Sequence, residues 1–252
     1  MNAPTAILSA HDITVEFSGF KAIQNLNFTL NAGELRFLIG PNGAGKTTLL
    51  DSICGRVKPA TGKVVFKDGT ELQRLQEHQI VQRGIARKFQ TPAVFGSLSV
   101  WDNLALSLRG PRNLLASLRS RLSGQQHQEI DKWLNVIGLQ EQVNTLAGQL
   151  SHGQKQWLEI GMILVQTPDV LLLDEPAAGM TDHETDALGK LLQNLDPHQT
   201  VLVVEHDMEF VRRYAHTVTV MHEGKILCEG DMETVQNDPR VAEVYLQRRV
   251  EA

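Results

Sequence analysis

The amino-acid sequence predicts an α/β fold: a core with a parallel sheet, an antiparallel β subdomain near the N-terminus and an inserted α-helical subdomain. Continuous apolar runs at Leu35–Ile39, Val170–Asp174 and Thr200–Val204 are typical of strands buried on both faces. After about residue 91 the strand signals disappear and helical patterns take over. We therefore expect the helical subdomain to be inserted at approximately residues 91–160.

Composition excludes several classes of protein. The chain has 252 residues, so a single domain can span residues 1–252, and a hydrophobic share of 42% is enough for a large core. No stretch is apolar for the roughly 18 residues that a membrane helix needs, and the start, MNAPTAILSAHD, lacks the basic flank of a signal peptide. The net charge of −5 disfavours nucleic acid as a partner. Two widely separated cysteines, Cys54 and Cys228, are typical of free thiols in a reducing compartment.

Three further strands are predicted in the N-terminal third of the chain. Leu26, Phe28 and Leu30 alternate with polar residues, which is typical of a half-buried antiparallel strand. A shorter strand near Ile13–Phe17 precedes it, and KVVFK at residues 63–67 predicts another. These strands make up the expected antiparallel β subdomain.

The middle and C-terminal parts of the chain contain helical and hairpin patterns. Helical periodicity is strongest at residues 100–108 and 130–137, and the basic stretch between them, broken by Gly and Pro, predicts a loop with a short helix. Thr181 and Glu184 fit the capping box of a later helix. Two short apolar runs flank HEG at residues 222–224 and predict a hairpin.

The most specific motif is GPNGAGKT, which fits G-x-x-x-x-G-K-[ST] between a predicted strand and a predicted helix. Glycines let consecutive backbone N–H groups point inward as an anion nest, and the following helix adds its positive N-terminal end. Lys46 would neutralise the β- and γ-phosphates of a nucleotide, and Thr47 would ligate Mg²⁺. The predicted phosphate-binding residues are Gly40, Pro41, Asn42, Gly43, Ala44, Gly45, Lys46, Thr47 and Thr48.

A P-loop needs a second carboxylate for the metal, at the end of a neighbouring strand, and VLLLDEP at residues 170–176 supplies one. Asp174 comes at the carboxyl end of this strand, where open α/β sheets bind ligands, and would hold Mg²⁺ through a water molecule. Glu175 follows it and would act as general base towards the attacking water. Gln90 and His206 also follow predicted strands. The strand before His206 is expected to run parallel to that of Asp174, whereas an isolated Gln carries little signal.

The stretch LSHGQKQWLEIGM, residues 150–162, has two interpretations. Ser151 and Gln154 fit a capping box, which by itself predicts an ordinary helix start. The apolar positions that suit an amphipathic helix are Trp157, Ile160, Met162 and Leu164. The alternative is a helix end that grips a phosphate.

The chain resembles the ATP-binding-cassette (ABC) ATPases, because GPNGAGKT, Gln90, LSHGQ, VLLLDE, AGMTD and His206 occur in the order and approximate spacing of that family. The resemblance covers nearly the whole chain and implies a P-loop NTPase core that binds ATP and Mg²⁺. It also implies that Lys46, Gln90 and His206 assist Glu175 in catalysis, and that Gln90 contacts the metal.

In the ABC family, the LSGGQ helix end contacts the γ-phosphate of an ATP that is held by the P-loop of the opposite subunit. The resemblance therefore implies nucleotide contacts from Ser151, Gly153 and Gln154 across a dimer interface. Ser151 would then both cap its helix and offer a hydroxyl to the nucleotide. His152 departs from the LSGGQ form, so its side chain must point away from the phosphate.

Two groups of apolar residues have alternative interpretations. The family stacks an aromatic side chain on adenine; Phe17 is the best match and Phe20 a rival, and ordinary packing is the alternative for either. Val94, Phe95 and Leu98 are apolar for an exposed segment, and we hypothesise that they form a groove for a membrane subunit's cytoplasmic helix. Internal packing of the helical subdomain is the competing interpretation.

Three segments resemble a narrower group, the ATPases of branched-chain amino acid importers: LEIGM, DEPAAGMTD and GDMETVQNDPRVAEVYL. Within that group, LSHGQKQWLEIGM looks most like the ATPase of urea importers. The resemblance implies a peripheral protein on the cytoplasmic face of the inner membrane that energises uptake of urea or, alternatively, branched-chain amino acids. Its implied partners are a second ABC ATPase, in a heterodimer or homodimer, integral membrane permeases and, indirectly, a periplasmic binding protein.

Other functional classes fit the sequence less well. A soluble ABC ATPase without a transporter is an alternative, although the chain lacks the coiled-coil insertion of repair ATPases and has one cassette rather than two. A GTPase switch should show N-K-x-D for guanine, which is absent from the sequence. Glu175 and His206 argue against a cassette that binds ATP without hydrolysing it.

Overall fold

The computed structural model describes residues 5–88, 93–108 and 122–247, with side chains of the last helix described up to residue 244. In chain order the strands are β1 Ala6–Phe17, β2 Phe20–Asn31, β3 Leu35–Ile39, β4 Thr61–Phe66, β5 Thr70–Glu71, β6 Ile85–Lys88, β7 Val170–Asp174, β8 Thr200–Val204, β9 Thr217–His222 and β10 Lys225–Gly230. The helices are α1 Lys46–Ile53, α2 Glu77–Gln82, α3 Val100–Ser107, α4 Gly124–Val136, α5 His152–Leu164, α6 Asp182–Gln193, α7 Met208–Tyr214, α8 Met232–Asn237 and α9 Pro239–Gln247. Across the described ranges, none of these helices has the length and apolar character needed to span a bilayer.

The N-terminal sheet has the order β2-β1-β4-β5 and is antiparallel, as the alternating residues of β2 predict. The predicted strand at Ile13–Phe17 was too short, since β1 begins at Ala6. Its first half is held on both sides, because Leu8 pairs with Leu30 of β2 and with Phe66 of β4. The pairing of distant segments therefore extends a strand whose own sequence gives a weak signal.

The second sheet has the order β10-β9-β3-β8-β7-β6. Every residue of β3, β7 and β8 is buried, and β8 runs parallel to both β3 and β7, as the continuous apolar runs predict. The predicted hairpin is confirmed, because β9 and β10 are antiparallel around residues 222–224. The expectation that the Asp174 strand adjoins the P-loop strand was wrong, because β8 pairs with both strands and separates them.

The register of these strands brings their carboxyl ends together. Val204 of β8 pairs with Leu38 of β3 and with Asp174 of β7, so the three strands end at the same level. Two further hydrogen bonds continue the pattern: Glu205 N donates to Leu38 O at 3.3 Å, and Glu175 N donates to Val204 O at 2.9 Å. Segments far apart in sequence therefore meet at one edge of the sheet.

The chain divides into two compact units, one formed by residues 88–168 and the other by the segments before and after it. The larger unit contains both sheets, and its core joins side chains of both sheets with those of α1, such as Leu49 and Leu50. The smaller unit contains α3, α4 and α5, together with an isolated antiparallel bridge between Ser99 and Leu146. In the basic stretch at residues 110–126, residues 110–121 lie outside the described residues, and the remainder leads into α4, which begins at Gly124.

The burial of α5 differs from the predicted amphipathic pattern. Trp157 is only partly buried, whereas Gln156 and Glu159 are almost fully buried. Glu159 forms an ion pair with the buried Lys88 at 3.4 Å and accepts a hydrogen bond from Ala93 N at 3.2 Å. Burial raises the pKa of Glu159, and the charge of Lys88 opposes that rise. Periodicity cannot reveal such a pair, because it counts charged residues as exposed.

Candidate functional site

The turn between β3 and α1 depends on glycine at two positions. Gly40 has φ 148° and Gly45 has φ 100°, in a region that side-chain-bearing residues rarely adopt. A Cβ atom at Gly40 would collide with the carbonyl oxygen of Met221, and one at Gly45 would lie 2.6 Å from that of Ala22. The turn is therefore packed tightly against its surroundings by backbone atoms alone.

The helix that follows this turn begins differently from most of the others. Gly45 offers no side chain to cap α1, and the first turn of α1 contains no acidic residue. By contrast, hydroxyl side chains accept backbone N–H bonds at the starts of α3, α4, α5 and α6, namely those of Ser99, Ser123, Ser151 and Thr181. The start of α1 is thus a positively polarised helix end suited to an anion.

Lys46 adds a full positive charge at the same place. Its side chain is buried, and Nζ donates hydrogen bonds to Gly40 O at 2.7 Å and Pro41 O at 3.0 Å. Thr47 is exposed and Thr48 is partly buried beside it in the first turn of α1. The ammonium group, the two hydroxyls and the helix end together suit a phosphate chain.

Asp174 lies at the carboxyl end of β7 and is buried. Its Oδ2 accepts a hydrogen bond from Arg87 at 2.9 Å, and Arg87 also donates to Asp51 of α1 at 2.6 Å. Burial raises the pKa of Asp174, and the bond to Arg87 opposes the rise. Its other oxygen, Oδ1, is buried and has no hydrogen-bond partner among the described residues. An unsatisfied buried carboxylate oxygen fits a cation such as Mg²⁺.

Glu175 and His206 face each other at this edge of the sheet. Glu175 has φ 49°, which is uncommon for a residue other than glycine and especially before a proline. Its Oε1 lies 3.6 Å from Nδ1 of His206, whose side chain is 63% exposed. This separation is just beyond direct hydrogen-bond distance, but it is short enough for both groups to bind the same water molecule.

The predicted capping box at the start of α5 is present in the smaller unit. Ser151 Oγ accepts from Gln154 N at 3.2 Å, and Gln154 Oε1 accepts from Ser151 N at 3.0 Å. His152 is exposed at the first helical position, and Gly153 follows it. Because a hydroxyl has one proton and two lone pairs, capping leaves the Ser151 proton available for a further acceptor.

The remaining predicted residues are the candidates for adenine stacking, the metal ligand Gln90 and the groove residues. Phe17 and Phe20 pair across the β1–β2 turn and are 48% and 67% exposed, so neither is a core residue. Gln90 lies outside the described residues. Phe95 is 54% exposed, whereas Val94 and Leu98 are partly buried, and the groove they were expected to form stays a prediction.

Sequence reasoning missed Arg87, which links Asp51 of the P-loop helix to Asp174. The only signal was a basic residue inside the short strand β6, where its side chain is 4% exposed. A buried arginine needs carboxylate partners, but their identity depends on which segments the fold brings together.

Known proteins resemble this chain in sequence and in fold. The family model for ABC transporters matches residues 23–178. The chain therefore belongs to the ABC transporter family, and it is an ABC ATPase, an enzyme that hydrolyses ATP. A solved structure of the ADP conformation of an ATP-binding cassette from an ABC transporter is similar, with a TM-score of 0.82 and 30% identity over 96% of this chain and 99% of that chain.

Curated relatives identify a narrower group. The chain is 36% identical to the high-affinity branched-chain amino acid transport ATP-binding protein LivG of Escherichia coli strain K12, over 95% of this chain and 97% of LivG. It is 35% identical to the corresponding protein BraF of Pseudomonas aeruginosa, over 95% of this chain and 97% of BraF. These relatives support the branched-chain amino acid group, and they do not support the urea specificity suggested by LSHGQKQWLEIGM.

Replacing Arg87 by Met should lower the free energy of unfolding by about 3–5 kcal/mol, because it takes the cation from the buried Asp174. It also removes the nearer of two arginines that pair with Asp51, the other being Arg56 at 3.9 Å. Urea denaturation of the 252-residue chain measures this change.

The matched control is Arg213→Met. Arg213 is 61% exposed and pairs with Asp186 at 2.6 Å, so its loss should cost less than about 1 kcal/mol. Equal losses in the two variants would contradict the role given to Arg87.

Proposed function

We propose that this chain is the ATP-hydrolysing subunit of an importer and that it binds ATP at the edge of the second sheet. The observation that carries the proposal is the meeting of three features at the ends of β3, β7 and β8. These are the uncapped start of α1 with Lys46, the half-satisfied carboxylate of Asp174, and the pair formed by Glu175 and His206. The triphosphate lies along the turn at residues 40–48.

Each phosphate-binding group has a distinct task. Backbone N–H groups of the turn and the N-terminal end of α1 bind the phosphate oxygens, and Lys46 neutralises the β- and γ-phosphates. The Thr47 hydroxyl and Gln90 are the proposed ligands of Mg²⁺, and Asp174 Oδ1 would hold the ion through a water molecule. When bound, Mg²⁺ would neutralise charge on the phosphates. Phe17 or Phe20, both exposed beside the β1–β2 turn, stacks on adenine.

Hydrolysis requires one proton transfer at the γ-phosphate. The oxygen of a water molecule bonds to the γ-phosphorus while Glu175 accepts a proton from that water. The bond between the γ-phosphorus and the β–γ bridging oxygen breaks, which releases ADP. His206, within 3.6 Å of Glu175, orients this water and the γ-phosphate. The products are ADP and inorganic phosphate.

A second ATPase subunit completes the nucleotide-binding site. We place the Ser151 hydroxyl proton and the start of α5, including Gly153 and Gln154, against the γ-phosphate held by the partner's P-loop. A helix end contributes only about 0.3–1 kcal/mol near a charge, so the P-loop carries the binding and this contact makes hydrolysis depend on dimer closure. The partner is a second copy of this chain or a different ABC ATPase.

The assembly we propose places the chain at the cytoplasmic face of the inner membrane. Its partners there are integral membrane permeases, with a periplasmic binding protein acting indirectly. The relatives LivG and BraF, named for branched-chain amino acid transport, support uptake of these amino acids or similar small solutes. Urea is the second candidate, because LSHGQKQWLEIGM resembles the urea type.

Glu175→Gln should reduce ATP turnover by at least about 100-fold, because glutamine cannot accept the proton. ATP binding should be retained, since the P-loop and Asp174 are unchanged. Steady-state phosphate release and equilibrium binding of ATP measure the two effects. Turnover at the wild-type rate would show that another group is the base.

Uptake of labelled leucine should fall to background in cells whose copy of this chain carries Lys46→Ala, because the phosphate-binding ammonium is lost. Labelled urea, measured in the same cells, is the matched control and should enter at the wild-type rate. Loss of urea uptake with normal leucine uptake would instead assign the chain to urea. Normal uptake of both would favour an ABC ATPase that works without a transporter.

A further inference from the structure

A buried carboxylate next to the catalytic pair has no role in the hydrolysis described above. Glu205 follows the last residue of β8, and its side chain is almost fully buried. Its Oε1 accepts a hydrogen bond from Ala177 N at 3.2 Å. Its Oε2 accepts from His206 N at 3.1 Å and from Asp207 N at 3.5 Å. One carboxylate therefore holds backbone groups from two separate segments.

The first of these segments carries Glu175. Its backbone has φ 49°, a strained conformation for a residue other than glycine, and such a conformation persists only where the surrounding structure imposes it. Two bonds flank this position: Glu175 N donates to Val204 O at 2.9 Å, and Ala177 N donates to Glu205. The turn that aims Glu175 is thus fixed to the end of β8 on both sides.

The second segment carries His206, whose own side chain is mostly exposed. Its backbone N–H is bonded to Glu205 Oε2, and the neighbouring Asp207 then caps α7 by accepting from Glu209 N and Phe210 N. The separation of 3.6 Å between Glu175 and His206 therefore depends on a carboxylate that touches neither of their side chains.

An ionised carboxylate suits this position and an amide does not. Three N–H donors converge on Glu205, and a carboxylate presents acceptors on both oxygens. A glutamine side chain has one accepting carbonyl oxygen and one donating NH₂ group. The backbone N–H of one of the two segments would therefore face the NH₂ group and lose its acceptor. Burial raises the pKa of Glu205, and the bonds from Ala177, His206 and Asp207 oppose that rise.

We propose that Glu205 is a positioning residue that sets the geometry between Glu175 and His206. The proposal rests on the proposed function, in which Glu175 is the general base and His206 acts beside it. Glu205 acts only through these two residues, because its hydrogen bonds are to backbone groups and not to the phosphate-binding turn.

Glu205→Gln should lower kcat for ATP hydrolysis about 10- to 100-fold, as expected when a catalytic group is misplaced by a fraction of an ångström to an ångström. The KM for ATP should stay within about two-fold of the wild type, because the turn and Lys46 are untouched. Glu205→Asp keeps both carboxylate oxygens, so its kcat should lie between those of the wild type and the Glu205→Gln variant. If the Gln variant does not fold, this split between kcat and KM in the Asp variant decides the question.

Glu34→Gln is the matched control. The Glu34 carboxylate also accepts a backbone bond, from Asn31 N at 2.9 Å, and it pairs with the buried Arg36. It lies at the opposite end of β3 from the phosphate-binding turn. Its replacement should lower the melting temperature but leave kcat unchanged, so an equal fall of kcat in both variants would overturn the proposal.

A double variant tests whether Glu205 acts through His206. If it does, adding Glu205→Gln to His206→Ala should lower kcat by less than the product of the two single effects. Multiplicative effects, or a Glu205→Gln enzyme with wild-type kcat beside an inactive Glu175→Gln enzyme, would overturn the positioning role alone. Undiminished turnover in Glu175→Gln would instead overturn the proposed function.

Discussion

The structure depends on the tight turn between β3 and α1, which only glycine allows at two positions. Residues 40–45 pass from β3 to α1 so close to neighbouring carbonyl groups that Gly40 and Gly45 admit no Cβ atom. Because glycine precedes α1, the helix starts with no capping side chain, and the buried ammonium group of Lys46 lies beside this start. Such an end attracts phosphate because its N–H dipoles and the lysine charge are already in place, so little reorganisation is needed on binding.

The parallel strands of the second sheet place acidic and histidine side chains at the edge where this turn lies. β8 lies between β3 and β7, and the shared level at which these strands end puts Asp174, Glu175 and His206 at the same edge. Polar groups buried behind that edge hold it in place: Arg87 ties the P-loop helix to Asp174, and Glu205 ties the Glu175 turn to His206. Buried hydrogen bonds of this kind restrain the segments that they join.

Much of this arrangement could be predicted from the sequence, because the informative signals are local. Continuous apolar runs predicted β3, β7 and β8, and the spacing of Ser151 and Gln154 predicted a capping box that the structure contains. Arg87, Glu159 and Glu205 could not be predicted in the same way. Each is a charged residue buried by partners that are distant in sequence or bonded through backbone groups, and local patterns count such residues as exposed. The order of β3 and β7 was missed for a related reason, since strand order is a property of the whole sheet.

A nucleotide site shared between two subunits also requires that the helix start in the smaller unit serve the second subunit. The capping geometry leaves the Ser151 proton available for that contact. The most direct measurement is a structure of the Glu175→Gln protein trapped with ATP and its partner ATPase. We expect Ser151 Oγ to lie within about 3 Å of a γ-phosphate oxygen of the ATP held by the partner's P-loop. An ATP bound by one subunit alone, with Ser151 beyond hydrogen-bond range of every γ-phosphate, would contradict the shared site.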